Sequence, residues 1–146
     1  MFSGSCLCGA VQYELDMTSE EASKTTSACH CRPCRKITGA TTSLNLTVQA
    51  SAFKLVTGNL KKTTNAHVDE GFRFTVAFCG DCGSPIYAEA FLDPNAAAGS
   101  NPLIIQAGTL DDVGPLEAAP AEELNVKHRL DWVGAVAGAK QRQAYV

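Results

Sequence analysis

The sequence predicts a mainly β fold with short helical segments. Apolar side chains alternate with polar ones over several segments, which is the period of a strand with one buried face. Helical periodicity is weak along the chain, and glycine, proline and small residues interrupt it often. These observations favour strands joined by loops and short helices.

The predicted strands are residues 11–15, 44–48, 72–78, 85–91 and 103–107. The third is the clearest, because Phe72, Phe74, Val76 and Phe78 share one face and lead directly into Cys79. Short helices are predicted at residues 19–24 and 32–38. Residues 93–102 contain two prolines and a glycine among alanines and are predicted to form a surface loop, as are residues 111–120.

Size and charge narrow the class of protein. A chain of 146 residues, 45% of them hydrophobic, fits one domain (residues 1–146) that forms its own core. A formal charge of −3 does not favour nucleic acid or an anionic membrane as a partner, because both attract basic surfaces. No apolar run approaches the ~20 residues of a membrane span, and residues 1–6 lack the features of a signal peptide. We therefore expect a cytoplasmic protein.

The seven cysteines are the main chemical signal in the chain. An odd number cannot pair completely within one chain, and closely spaced thiols in a reducing compartment indicate metal binding more often than disulfides. They are Cys6, Cys8, Cys29, Cys31, Cys34, Cys79 and Cys82.

Two of the cysteine groups together predict a closed zinc site. Cys79 and Cys82 form a C-x-x-C turn with glycines beside it, which lets two thiolates converge on one ion. A tetrahedral site needs a second pair, and Cys6 and Cys8 would supply it if that segment is extended, since residues two apart then point the same way. We expect Gly9 to hold a bulge that changes the phase before the next strand. Four thiolates leave no position for substrate, so this site would be structural.

The third group predicts an open site. Cys29, Cys31 and Cys34 offer three thiolates, and three protein ligands with a vacant fourth position are typical of catalytic zinc. Arg32, Arg35 and Lys36 would offset the negative charge of the thiolates and attract an anionic ligand.

Two alternatives remain for this group. In the first, the cysteines are redox-sensitive thiols of low pKa; in the second, they form another structural site completed by a residue from elsewhere. His30 is a weaker candidate ligand, because a residue between two ligands on an extended segment faces away from them.

Three separated motifs in this order resemble one known family. The motifs are GSCLCGAV at residues 4–11, ACHCRPCRKITGA at 28–40 and FCGDCGSP at 78–85, with GTLD at 108–111 and Trp132 as further landmarks. The chain resembles the glutathione-dependent formaldehyde-activating enzyme family, which also includes centromere protein V, over nearly its whole length.

The resemblance implies a β-tent of packed antiparallel sheets that carries zinc. Carried over by position, Cys6, Cys8, Cys79 and Cys82 would bind a structural zinc, and Cys29, Cys31 and Cys34 a catalytic one. The charge of Arg32 and Arg35 separately makes them candidates for binding the thiol, with a solvated surface as the alternative. The implied activity joins formaldehyde to glutathione to give S-(hydroxymethyl)glutathione, which is a carbon–sulfur lyase reaction in reverse.

The competing function is a non-catalytic zinc scaffold that binds a protein partner, which would need an exposed apolar patch or a further ligand that closes the second site. The other notable side chains are assigned no chemistry. Trp132 is expected in the core or an interface, Asp81 in solvent, and His67 and His128 at the surface.

Overall fold

The computed structural model describes residues 1–145 and contains eleven strands and three short α-helices. The strands are β1 (Phe2–Ser5), β2 (Gln12–Leu15), β3 (Thr26–Cys29), β4 (Ser43–Val48), β5 (Phe53–Thr57), β6 (Leu60–Ala66), β7 (Arg73–Cys79), β8 (Pro85–Phe91), β9 (Leu103–Gln106), β10 (Glu122–Leu124) and β11 (Lys140–Gln141). The helices are α1 (Ser19–Thr25), α2 (Arg32–Thr38) and α3 (Gly114–Glu117), with 3-10 turns at Ala50–Ala52, Ala107–Thr109 and Val126–His128. The predicted mainly β class is confirmed.

The strands form two sheets of unequal size. The smaller sheet has the order β1-β2-β5, and the larger has the order β11-β10-β3-β4-β9-β8-β7-β6. Neighbouring strands are antiparallel except that β10 runs parallel to both β3 and β11. The large sheet is therefore mixed rather than wholly antiparallel.

The hydrophobic core lies between the two sheets. Tyr13 and Leu15 of the small sheet pack with Leu46, Tyr87 and Ile105 of the large one, and all five are buried. Burial of this apolar area is the main favourable term for joining the sheets. The opposite face of the large sheet is partly covered by α2, and the candidate site lies there.

Both predicted helices are confirmed, and each has a local cause. A reciprocal cap between Thr18 and Glu21 begins α1. Cys31 is the N-cap of α2, and Gly39 ends the helix in the left-handed conformation with φ 65°.

The five predicted strands correspond to β2, β4, β7, β8 and β9, with ends shifted by a residue at most. The short strands β1, β3, β10 and β11 and the exposed edge strands β5 and β6 lack a clear apolar alternation and were not predicted. Helix α3 lies within residues 111–120, where a loop was expected. Within residues 1–145, no helix combines the length and apolar character needed to cross a bilayer.

Gly58 provides a test of how closely the small sheet approaches its neighbouring loop. Its φ is +82°, and a Cβ there would lie 2.3 Å from the Ala10 carbonyl oxygen, whereas Gly99 has φ +76° with nothing within 4 Å. Gly99→Ala should cost about 1 kcal/mol of unfolding free energy from backbone strain alone. Gly58→Ala should cost about 2 kcal/mol more because of the clash. Urea unfolding measures both changes in free energy. Equal losses for the two substitutions would contradict the close contact between residue 58 and the Ala10 carbonyl oxygen.

Candidate metal centres and active site

Four cysteines from two distant segments converge at one end of the core. The sulfurs of Cys6, Cys8, Cys79 and Cys82 all lie within 4.8 Å of one another. The Cys6–Cys8 sulfur distance is 3.5 Å and the Cys8–Cys79 distance is 3.9 Å. Zinc–sulfur bonds of about 2.3 Å in a tetrahedron place sulfurs roughly 3.8 Å apart, so this donor set fits a closed zinc site.

Two tight turns present these sulfurs. The Gly9 amide donates to the Cys6 carbonyl, and the Gly83 amide donates to the Cys79 carbonyl, each followed by a left-handed glycine conformation. The first segment is thus a turn, and the extended conformation considered for Cys6 to Cys8 is wrong. The turn has the same effect, because it brings both sulfurs to one side.

Hydrogen bonds to sulfur favour the ionised thiols that a metal requires. The Val11 amide donates to the Cys6 sulfur over 3.2 Å, and the Ser84 hydroxyl lies 3.2 Å from the Cys82 sulfur. The hydrogen bonds from Ser84 lower the pKa of Cys82 to about 5. The Ser84 hydroxyl also accepts from the Leu7 amide, so it joins the two turns.

The other three cysteines meet on the opposite face of the large sheet. Cys29 ends β3, Cys31 caps α2 and Cys34 lies in the first turn of that helix. Their sulfurs lie within 4.8 Å of one another, and Cys29 and Cys31 are buried. Among residues 1–145, no fourth metal-binding side chain joins this group, and three sulfur donors fit the predicted open site. All seven cysteines are free thiols, as the metal-binding interpretation requires.

A hydroxyl group that sequence reasoning missed reaches this cluster. The Tyr145 hydroxyl donates to the Cys31 sulfur over 3.3 Å and lies 2.7 Å from His67 Nε2. His67 Nδ1 accepts from the amides of Asp69 and Glu70, so the ring proton is on Nε2 and is donated to Tyr145. The bonds form a directed chain from His67 through Tyr145 to sulfur.

The electrostatics of the cluster follow from these bonds. Hydrogen bonds from Cys29 and Cys34, and then from Tyr145, hold the pKa of Cys31 below its usual range. Burial and the adjacent sulfurs raise the pKa of Tyr145, so its hydroxyl stays a donor. His67 is only 3% exposed, and its expected surface position is wrong.

A cavity of about 160 Å³ opens beside the three sulfurs. It lies between α2, the face of the large sheet and the ring of Tyr145, and its walls are mostly apolar. A reacting group in this cavity would contact both the sulfurs and the apolar walls.

His30 belongs to a separate buried network. Its Nε2 donates to Glu123 over 2.7 Å, and the same carboxylate accepts from Arg129, Gln141 and the Val136 amide. Burial alone would raise the pKa of Glu123, but bonds from Gln141, His30 and Val136 outweigh it and lower the pKa to about 2. This network fixes the segment that carries Tyr145.

The basic residues of α2 have varied surroundings. Arg32 pairs with Asp69, Arg35 donates to the His128 carbonyl over 3.2 Å, and Lys36 is exposed. The guanidinium groups therefore brace α2 against neighbouring loops. Trp132 is 76% exposed, so of the two places expected for it the core is wrong, and an interface stays a prediction. Asp81 is exposed, as expected.

Comparison with known proteins shows which family the chain matches. The model of the family described as "Glutathione-dependent formaldehyde-activating enzyme" matches residues 1–128. A crystal structure of a Rhodobacter sphaeroides protein is similar with a TM-score of 0.57 and 22% identity, covering 79% of this chain and 93% of that one, which supports the fold. No curated protein matches the chain.

The closed cluster should dominate stability. Cys79→Ser removes one of four converging donors and should lower the free energy of unfolding by about 3 kcal/mol or more, since structural zinc supplies roughly 10–16 kcal/mol in small zinc domains. Cys34→Ser makes the same chemical change in the other cluster and should cost less than half as much. Thermal unfolding with and without a chelator measures both effects. Equal losses of stability in the two variants would contradict the greater structural role of the four-cysteine cluster.

The ionisation of Glu123 should make the free energy of unfolding depend on pH in the acid range. Its folded pKa of about 2 lies below the ordinary value of 4.5, so its contribution is present above pH 4.5 and is lost as pH falls toward 2. Glu123→Gln should cost about 3 kcal/mol at pH 7, because it weakens a buried charged network.

The difference in the free energy of unfolding between wild type and Glu123→Gln should then become smaller as the pH falls from 4.5 to 2. Loss of any bound metal in acid would affect both proteins and would cancel in this difference. Urea unfolding across this range is the measurement, and a gap that does not change with pH would contradict the pKa shift.

Proposed function

Since the chain belongs to the glutathione-dependent formaldehyde-activating enzyme family, we propose that it catalyses the addition of a thiol to an aldehyde and the reverse cleavage. Glutathione and formaldehyde are the pair that the family description names, and their product would be S-(hydroxymethyl)glutathione. The reverse direction is a carbon–sulfur lyase reaction. The observation that carries the proposal is the three-sulfur cluster beside a cavity, with a hydroxyl directed at one sulfur.

The two clusters would have different roles. Cys6, Cys8, Cys79 and Cys82 would hold a structural zinc that four thiolates close off. Cys29, Cys31 and Cys34 would hold a second zinc with one position left for a ligand. When bound there, zinc would supply a place for the substrate thiolate or the aldehyde oxygen, and the negative charge of three thiolates makes it a poor Lewis acid but a good host for another thiolate.

The residues around the open cluster support the chemistry in distinct ways. In the addition, the thiol sulfur forms a bond to the carbonyl carbon, the carbonyl π electrons move to oxygen, and the thiol proton ends on that oxygen. The Tyr145 hydroxyl donates its one proton to the Cys31 sulfur and accepts from His67. In the addition it would turn that proton from the sulfur to the carbonyl oxygen as the oxygen gains charge, while His67 continues to donate to the hydroxyl. Arg32 and Arg35 would add positive charge near the thiolates and an anionic thiol substrate.

The cavity would contribute by holding the reactants together. A bound thiol and aldehyde react as neighbours instead of meeting from solution, which removes much of the entropic cost of their encounter. The apolar walls also strengthen the hydrogen bond from Tyr145, since that bond operates away from bulk water.

Exchange spectroscopy by NMR tests the function directly. Mixtures of glutathione and formaldehyde interconvert with their adduct, and the wild-type protein should accelerate this exchange in proportion to its concentration. Cys34→Ser should fold but lose most of the acceleration, because one of the three sulfurs is gone. If the wild-type protein gives no acceleration, the non-catalytic zinc scaffold becomes the better account.

Tyr145 should act on kcat more than on KM. Tyr145→Phe keeps the ring and removes the donor, and should lower kcat about tenfold or more with a smaller change in KM, because the bond matters most as charge develops. Tyr13→Phe is the matched control, since its hydroxyl makes a 2.7 Å bond to Thr109 within the core, away from the three sulfurs. Equal kinetic effects of the two substitutions would contradict the role of Tyr145.

A further inference from the structure

The cavity beside the three cysteines is larger and more apolar than formaldehyde requires. Its volume is about 160 Å³, whereas formaldehyde has two heavy atoms and no side chain. An apolar protein cavity of about 150 Å³ stays dry and binds benzene. The lining therefore has room for a substituent on the aldehyde carbon.

The cavity exists because one strand, β8, contributes two small side chains to its lining. Ala88 and Ala90 lie opposite Ile104 and Phe74 on the neighbouring strands, and all four side chains line the cavity. Larger residues at the two alanine positions would fill the space between their neighbours. The other apolar walls are Pro33, Ile37, Phe72, Leu92 and Leu124.

Polar side chains form the smaller part of the lining. Asn45 and Gln106 are both buried, and the Gln106 amide donates to the Asn45 carbonyl oxygen over 3.4 Å, which uses part of the hydrogen-bonding capacity of each amide. The apolar side chains around them favour an apolar substituent, because a charged one would lose its water shell against these walls.

We propose that the aldehyde taken by this protein carries an apolar substituent of about three to five carbons that fills the cavity. The inference rests on the proposed function. The sulfurs of the open cluster line the same cavity, so a seated substituent keeps the carbonyl carbon beside them. The reaction is RSH + R′CHO → RS–CH(OH)R′, in which the carbon–sulfur bond forms, the carbonyl π bond breaks and the thiol proton moves to oxygen.

The test compares formaldehyde with butanal, pentanal and hexanal, using glutathione as the thiol and NMR exchange as the measure of kcat/KM. Wild-type protein should favour pentanal over formaldehyde by at least tenfold, since each methylene in an apolar pocket is worth roughly tenfold or more. Ala90→Leu should reduce this ratio at least tenfold. Ala119→Leu makes the same change at an exposed position outside the cavity and should leave the ratio unaltered.

A second variant keeps the test informative if Ala90→Leu does not fold. Ile104→Ala enlarges the cavity and should move the preferred aldehyde toward hexanal. Binding of benzene, followed through the methyl NMR signals of Ile104 and Leu124, gives a readout that requires no catalysis. Wild type should show shifts that Ala90→Leu abolishes.

The outcomes separate this inference from the proposed function. Exchange of formaldehyde without a preference for longer aldehydes, and without benzene binding, would overturn the inference and leave the function standing. Benzene binding without exchange of any aldehyde would overturn both assignments and leave an apolar cavity of another use. A preference for pentanal that Ala90→Leu removes and Ala119→Leu retains would support the inference.

Discussion

The convergence of four thiols from residues 6–8 and 79–82 is the constraint on which the rest of the fold depends. These segments lie more than seventy positions apart, yet their sulfurs meet within 4.8 Å. The turn after β1 belongs to the small sheet, and the turn between β7 and β8 belongs to the large one. Joining the turns therefore fixes the two sheets to each other at the edge of their shared core. With the sheets held on one side, the opposite face of the large sheet can remain partly open without loss of the fold.

That open face carries the three-sulfur cluster. The buried network around Glu123 positions the segment that brings Tyr145 to this cluster. Glu123 accepts hydrogen bonds from Gln141 and the Val136 amide, and β11 pairs with β10 beside it. Residues 136–145 thus follow the edge of the large sheet to Tyr145. Since the family model matches residues 1–128, this segment lies beyond the matched part of the chain. The hydroxyl that reaches Cys31 comes from this segment.

The sequence could predict those features that depend on local spacing. The C-x-x-C turn, the three clustered cysteines and the alternation of β7 to β9 are local patterns, and each led to the observed element or group. Tyr145 and His67 could not be found in this way, because their contacts join residues 114 and 78 positions apart. The parallel pairing of β10 could not be predicted either, because a strand of three residues is too short to show an apolar alternation. The cavity depends on Ala88 and Ala90 facing Ile104 and Phe74, which requires the strand order.

The central claim is that one chain holds a closed thiolate site and an open one. Native mass spectrometry of the folded protein tests it most directly, by counting zinc per chain with and without glutathione for wild type and Cys31→Ser. The account predicts two zinc ions in wild type, one in the variant, and a glutathione adduct only in wild type. A single zinc that the substitution leaves in place, with no glutathione bound, would contradict the open metal site.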